Sequence, residues 1–149
     1  MKSIFNAKDN DELIERIDKL TPSSAAQWGK MNVSQMLVHC QIFIKLALGD
    51  LKLRRVFLGL LFGKIAKKQV LSDAPLKRNL PTVKEANIKD QRNFEEEKAG
   101  LIALLKDMQK AGLNGLTCEP HPFFGNLEPK EWDHLNAKHL DHHLSQFGV

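Results

Sequence analysis

The chain has 149 residues, 42% hydrophobic and 27% charged, with a formal net charge of +4. That length suits one domain, residues 1–149, with a sizeable core, and the composition is that of an ordinary soluble globular protein. It excludes a low-complexity, collagenous or disulfide-rich chain, because the two cysteines, Cys40 and Cys118, read as reduced thiols.

The start, Met1-Lys2-Ser3-Ile4-Phe5-Asn6, turns polar at once, so no signal peptide is expected. The longest apolar run, Val56 to Phe62, contains Gly59 and is soon followed by Lys64. It falls far short of the roughly 18 residues needed to cross a bilayer. A cytoplasmic protein without stable membrane insertion is the expectation. The charge is uneven: residues 45–92 carry twelve Lys/Arg and four Asp/Glu, a net of +8, leaving −4 for the remainder. That basic middle can be a solvated connector with its apolar side on the core, or a surface for nucleic acid or an anionic membrane. No nucleic-acid-binding motif accompanies the charge, so a nucleic-acid partner is not expected.

Strand signals are nearly absent, since the chain has no Tyr and no clean period-two stretch. Helical periodicity recurs in four places. The first helix is expected from about Asp9 to Leu20, capped by Asp9 or Asn10, with Leu13, Ile17 and Leu20 as its stripe and Thr21-Pro22 as its stop. A connector containing Trp28 and Gly29 follows. The second helix is expected from Val33 to Leu48, with Asn32 as N-cap, Gln35 in the capping-box position and Gly49 at the end. It is apolar nearly all round and should be central.

Leu51 to Gln69 can hold a short helix or two, in which Gly59 and Gly63 would permit close helix contact. Pro75 and Pro81 mark an irregular loop. The third main helix is expected from Asp90 to Lys110, with Phe94, Leu101, Leu105 and Met108 inward and Gly112 as the stop. A loop from Leu113 to Leu127 carries His121. The last main helix starts near Pro129 and runs to about Phe147. Four main helices and no sheet predict an all-α four-helix bundle with a long connection between the second and third.

The chemistry sits on the last helix. His139 and His143 are four residues apart, so their side chains stack on one face. On a helical wheel centred on Trp132 they fall at about −20° and +20°, in the middle of the face that should meet the core. Two imidazoles buried there are costly unless hydrogen-bonded or ligated, and together they can close on one divalent metal. His39, on the second helix beside Met36 and Phe43, is the best third candidate, and is either a ligand or a satisfied core histidine. Three neutral imidazoles leave a fourth position for water or substrate. His121, between Pro120 and Pro122, can be a fourth ligand, a general acid or base, or a loop anchor. His142 flanks the stripe or meets solvent, and His134 falls on the polar face. Cys40, adjoining His39 in sequence but about 100° away from it, can be a ligand or a small buried hydrophobe. Asn136 and Gln146 can fix imidazole tautomers or be ordinary interface residues.

These residues carry a likeness. Trp28-Gly29-Lys30-Met31 leading into Gln35-Met36-Leu37-Val38-His39-Cys40, then His121-Pro122-Phe123-Phe124-Gly125, then His139-Leu140-Asp141-His142-His143-Leu144-Ser145-Gln146-Phe147 span nearly the whole chain. In this the chain resembles the DinB/YfiT-like superfamily, within a branch that has no assigned reaction. The resemblance implies a four-helix bundle holding one divalent metal, zinc or nickel in many members, with His39, His139 and His143 as ligands. It implies homodimers and a link to metal-dependent thiol S-transferases acting with a low-molecular-weight thiol, a few relatives being hydrolase- or isomerase-like. Where the branch places a Ser/Thr-type cap before Pro129, this chain has Glu128. Three functions follow as expectations: a metal-dependent transferase or hydrolase acting on a small molecule, with His121 as acid or base; a non-catalytic bundle fastened by its metal; and a protein that docks through its basic middle.

Overall fold

The computed structural model describes residues 2–149 and is all-helical. Five α-helices follow in order: α1, Ala7–Asp18; α2, Val33–Leu48; α3, Phe57–Val70; α4, Phe94–Ala111; and α5, Pro129–Gln146. Two 3-10 turns, Lys84–Ala86 and Leu113–Gly115, sit in the connections. Among the described residues the only β-type pairing is an isolated bridge, His121 with Gly125.

Polar side chains at the helix starts set the boundaries, and in two places they shift the expected ones. Asn6, not Asp9 or Asn10, caps α1, its Oδ1 accepting from the Asp9 amide at 3.1 Å. Asn10 is instead fully buried, and its Nδ2 donates to the Ile4 and Leu105 carbonyls at 2.8 and 3.3 Å. α4 starts at Phe94 rather than Asp90, because Asn93 offers Oδ1 to the amides of Glu95 and Glu96. α2 has the expected bounds: Asn32 Oδ1 accepts from the Gln35 amide at 2.9 Å, Gln35 Oε1 accepts from the Asn32 amide at 3.0 Å, and Gly49 ends the helix at φ 81°. At α5 the absence of a Ser or Thr is met from inside the helix, where Glu131 Oε2 accepts the Glu128 amide at 2.8 Å.

α2 packs against α4 and α5, and α1 packs against the same two helices from the other side. The core between them is built from fully buried Leu13, Ile17, Met36, Leu37, Leu101, Leu105, Met108, Trp132, Leu140 and Leu144. The polar side of α5 is covered rather than bare. Arg16 of α1 pairs with Asp141 at 2.6 Å, and Lys138 donates to the Val70 and Ser72 carbonyls at 2.8 and 2.5 Å. His134, expected at the surface, is half-buried beside this connection and lines a cavity of about 530 Å³ with Trp28, Arg78 and His142.

α3 departs most from expectation. Gly59 and Gly63 do make a close contact, but with the loop backbone at Phe123 rather than with another helix. A Cβ on Gly59 would lie 2.6 Å from the Phe123 carbonyl oxygen, and one on Gly63 would also collide with it. The helix thus packs by its glycine face, and Phe57, Leu58, Leu60, Leu61, Phe62 and Ile65 stand 54% to 71% exposed. The outer face of α3 is thus not folded onto the core, whereas Leu51, Leu53, Val70 and Leu71, at its end and flanks, do pack against the core.

Candidate metal centre

α2 and α5 bring His39, His139 and His143 together, with one ring nitrogen from each lying within 4.8 Å of the others. The Nε2 atoms of His39 and His139 approach to 3.0 Å. The ring centroids are 4.9 Å apart for His39–His139, 4.7 Å for His39–His143 and 4.6 Å for His139–His143. His39 and His143 are buried, while His139 keeps a partly open side.

The outer nitrogens set what the inner ones can do. His39 Nδ1 lies 2.8 Å from the Ala86 carbonyl oxygen, which can only accept, so Nδ1 carries the proton and Nε2 turns a lone pair inward. His143 Nδ1 lies 2.7 Å from Gln146 Oε1, and Gln146 Nε2 donates to the Trp28 carbonyl at 2.6 Å. The amide is thereby oriented with oxygen toward the imidazole, and His143 Nε2 also turns its lone pair inward. His139 Nε2 then either donates a proton to His39 or shares a cation with it.

Burial holds all three rings neutral. It lowers the pKa of His39 from the usual imidazole value, and brings His143 down to about 3, with His39 acting in the same direction. For His139 burial again dominates, reinforced by its histidine neighbours. Neutral imidazoles are the form that ligates a metal. Tetrahedral zinc with Zn–N near 2.1 Å needs nitrogens about 3.4 Å apart, a spacing between the 3.0 Å approach of His39 and His139 and the 4.8 Å limit of the group. These donors fit a divalent ion.

His121 is outside that group of three but close to its wall. Its ring stacks on Phe124 at 4.5 Å and lies 6.1 Å from Phe43, whose ring is 4.5 Å from that of His139. His121 Nδ1 accepts from the amides of both Phe123 and Phe124 at 3.1 Å. The neutral ring therefore carries its proton on Nε2, which is buried with no hydrogen-bond partner among the described residues. In that state Nε2 can donate a hydrogen bond but can neither accept a proton nor ligate. Burial first, and the Arg55 guanidinium second, pull the His121 pKa down to about 3.

Of the two amides expected to orient imidazoles, Gln146 does so. Asn136 instead donates to the Trp132 carbonyl at 2.9 Å. His142 is half-buried and flanks the group, its ring 5.2 Å from His143 and 5.6 Å from Trp28. Burial pushes the Cys40 thiol pKa strongly up, and its Sγ sits 3.7 Å from Met36 Sδ. It packs as a small apolar group. Sequence reasoning missed the two backbone carbonyls, of Ala86 and Trp28, because a main-chain acceptor leaves no mark in residue type. One signal was present: Gly29 has φ 84°, and a Cβ there would lie 2.6 Å from Gln146 Nε2.

No curated protein matches the chain, and no solved structure does. One family does match, over residues 2–148. The chain belongs to the family described as protein of unknown function DUF1569.

Proposed function

We propose that this protein is a metal-dependent enzyme of the DinB/YfiT-like kind, in which His39, His139 and His143 hold one divalent ion, zinc or nickel, and leave a position open to a small-molecule substrate. The observation that carries this reading is the pair of tautomers fixed by Ala86 and Gln146, which turn two lone pairs into one shared space. Hydrogen bonds of this kind, behind the ligating nitrogens, are how proteins prepare imidazoles for a metal. The cyclic contacts of α1, α2, α4 and α5 support a four-helix bundle of that superfamily, with α3 inserted in the long connection.

A bound ion would supply Lewis acidity and lower the pKa of a coordinated water or thiol, the chemistry of thiol transfer or hydrolysis. The chain's own residues do the rest. Phe43 packs its ring against His39 and His139, and the buried Trp132 packs against His121. His121 Nε2–H is an unspent donor beside Phe43, suited to a polar atom of the substrate. His142 borders both His143 and the cavity of about 530 Å³. Homodimerisation, implied by the likeness, completes the reading.

The partial opening at His139 favours a catalytic over a purely structural ion. The test is elemental analysis of untagged protein beside a His139→Ala/His143→Ala double variant, followed by a thiol-transfer and ester-hydrolysis screen. About one equivalent of metal, lost in the variant, with turnover lost alongside it, is the expected result. Metal bound with a large loss of melting temperature on chelation and no turnover would replace the enzyme with a metal-fastened bundle. No metal after soaking with zinc and nickel would remove both.

A further inference from the structure

The outward face of α3 has no role in the metal centre. Five large apolar side chains, Phe57, Leu58, Leu61, Phe62 and Ile65, form its outer band, and each is more than half exposed. Patches of this kind on a folded chain mark an interaction surface. The helix cannot turn them inward, because Gly59 and Gly63 fix its opposite face against the Phe123 backbone. Lys67 reinforces that attachment, pairing with Glu131 at 2.6 Å and donating to the Asn126 carbonyl at 2.9 Å.

The charge around the band names its partner. Residues 51–72 hold six cations, Lys52, Arg54, Arg55, Lys64, Lys67 and Lys68, and no Asp or Glu. Three of these, Arg54, Lys64 and Lys68, are exposed and make no ion pair among the described residues. At about 100° per residue, Lys64 and Lys68 fall on either side of Phe57, between the exposed Leu60 and the rest of the band, where their alkyl stems can lie along the apolar row and their ammonium groups reach outward. A second copy of the chain fits this surface poorly. An antiparallel pairing centred on Leu61 would set Lys64 on Leu58 and Lys68 on Arg54, and a parallel one would set each lysine on itself. A bilayer with anionic headgroups meets both halves of the pattern, taking the apolar row into the acyl boundary and the cations at the phosphates.

We propose that α3 is an interfacial anchor, lying flat on an anionic membrane with Phe57, Leu58, Leu61, Phe62 and Ile65 immersed and Arg54, Lys64 and Lys68 at the headgroups. It lies on the surface and does not cross, as no described helix is long and apolar enough to do so. The proposal is independent of the metal.

The full chain is sedimented with vesicles of equal parts phosphatidylcholine and phosphatidylglycerol, and with phosphatidylcholine alone. A Leu61→Glu/Ile65→Glu variant and a Lys64→Gln/Lys68→Gln variant are run beside it, with circular dichroism to verify folding. Binding to the anionic vesicles that weakens as salt rises is expected. It should fall by about tenfold or more in the glutamate variant, which loses two immersed side chains, and become less salt-sensitive in the glutamine variant. Equal binding to both vesicle types would overturn the anionic assignment, and binding to neither would overturn the anchor. A concentration-dependent dimer dissolved by the glutamate variant, without vesicle binding, would assign the face to a second copy. Salt-sensitive binding to duplex DNA, without vesicle binding, would assign it to nucleic acid.

Discussion

Gln146 accepts a hydrogen bond from His143 at 2.7 Å with its oxygen, while its nitrogen is held by the Trp28 carbonyl at 2.6 Å. One side chain thus connects the connector before α2 to the end of α5 and fixes which nitrogen of His143 is free. Gln146→Ala should leave the three imidazoles in place yet weaken metal binding by about 10- to 100-fold, the usual cost of losing such an orienting partner. Competition with a chromophoric chelator measures it. Unchanged affinity would mean that Gln146 serves packing alone.

Gly29 controls the same contact from the other side. At φ 84° an L side chain is strained, and its Cβ would press on Gln146 Nε2. Gly29→Ala should cost about 1–2 kcal/mol of stability and also lower metal affinity. Denaturant midpoints paired with metal titration check both effects, and a stability loss with full affinity would separate the turn from the site.

Acid should destabilise the metal-free protein through buried imidazoles. The His121 pKa is lowered to about 3 in the fold from an ordinary value of 6.5, so between those limits the unfolded chain takes up a proton that the native one refuses. Its contribution is complete above pH 6.5 and is lost progressively as pH falls toward 3. His121→Asn keeps an acceptor near the Phe123 and Phe124 amides but cannot titrate. Melting curves at pH 7 and pH 5 should show a smaller acid-induced loss in this variant than in the parent.

The two cysteines should respond differently to an alkylating reagent. Cys40 is buried with its thiol pKa pushed up, whereas Cys118 is exposed. Since the thiolate is the reactive form, mass spectrometry of native protein treated with iodoacetamide should find Cys118 modified and Cys40 intact. Modification of Cys40 without unfolding would show that α2 opens.

Much of the framework was readable from residue types. Asn32, Gln35 and Gly49 delimit α2, and the face of α5 that meets the core follows from the spacing of Trp132, His139 and His143. Legibility ended where the deciding group was main chain or lay far along the chain. Nothing in residue type says that the Ala86 carbonyl meets His39, or that two amides meet His121 Nδ1. α3 misled for another reason. An apolar run is ordinarily read as core, but here the two glycines provide the packing surface, and what looks like core lies outside. The start of α4 lies later than the periodicity suggests because Asn93 caps the helix there, a local choice that periodicity does not register.

His39 and His139 are 100 positions apart, whereas His139 and His143 share one turn-to-turn step of α5. An unfolded chain can therefore offer an ion only neighbouring histidines near its C-terminus, since the His39 nitrogen arrives only after a long loop has closed. Full coordination is available to the completed fold alone. Ion uptake during refolding would act as a clock for the last long-range step, and should lag behind the growth of helical signal.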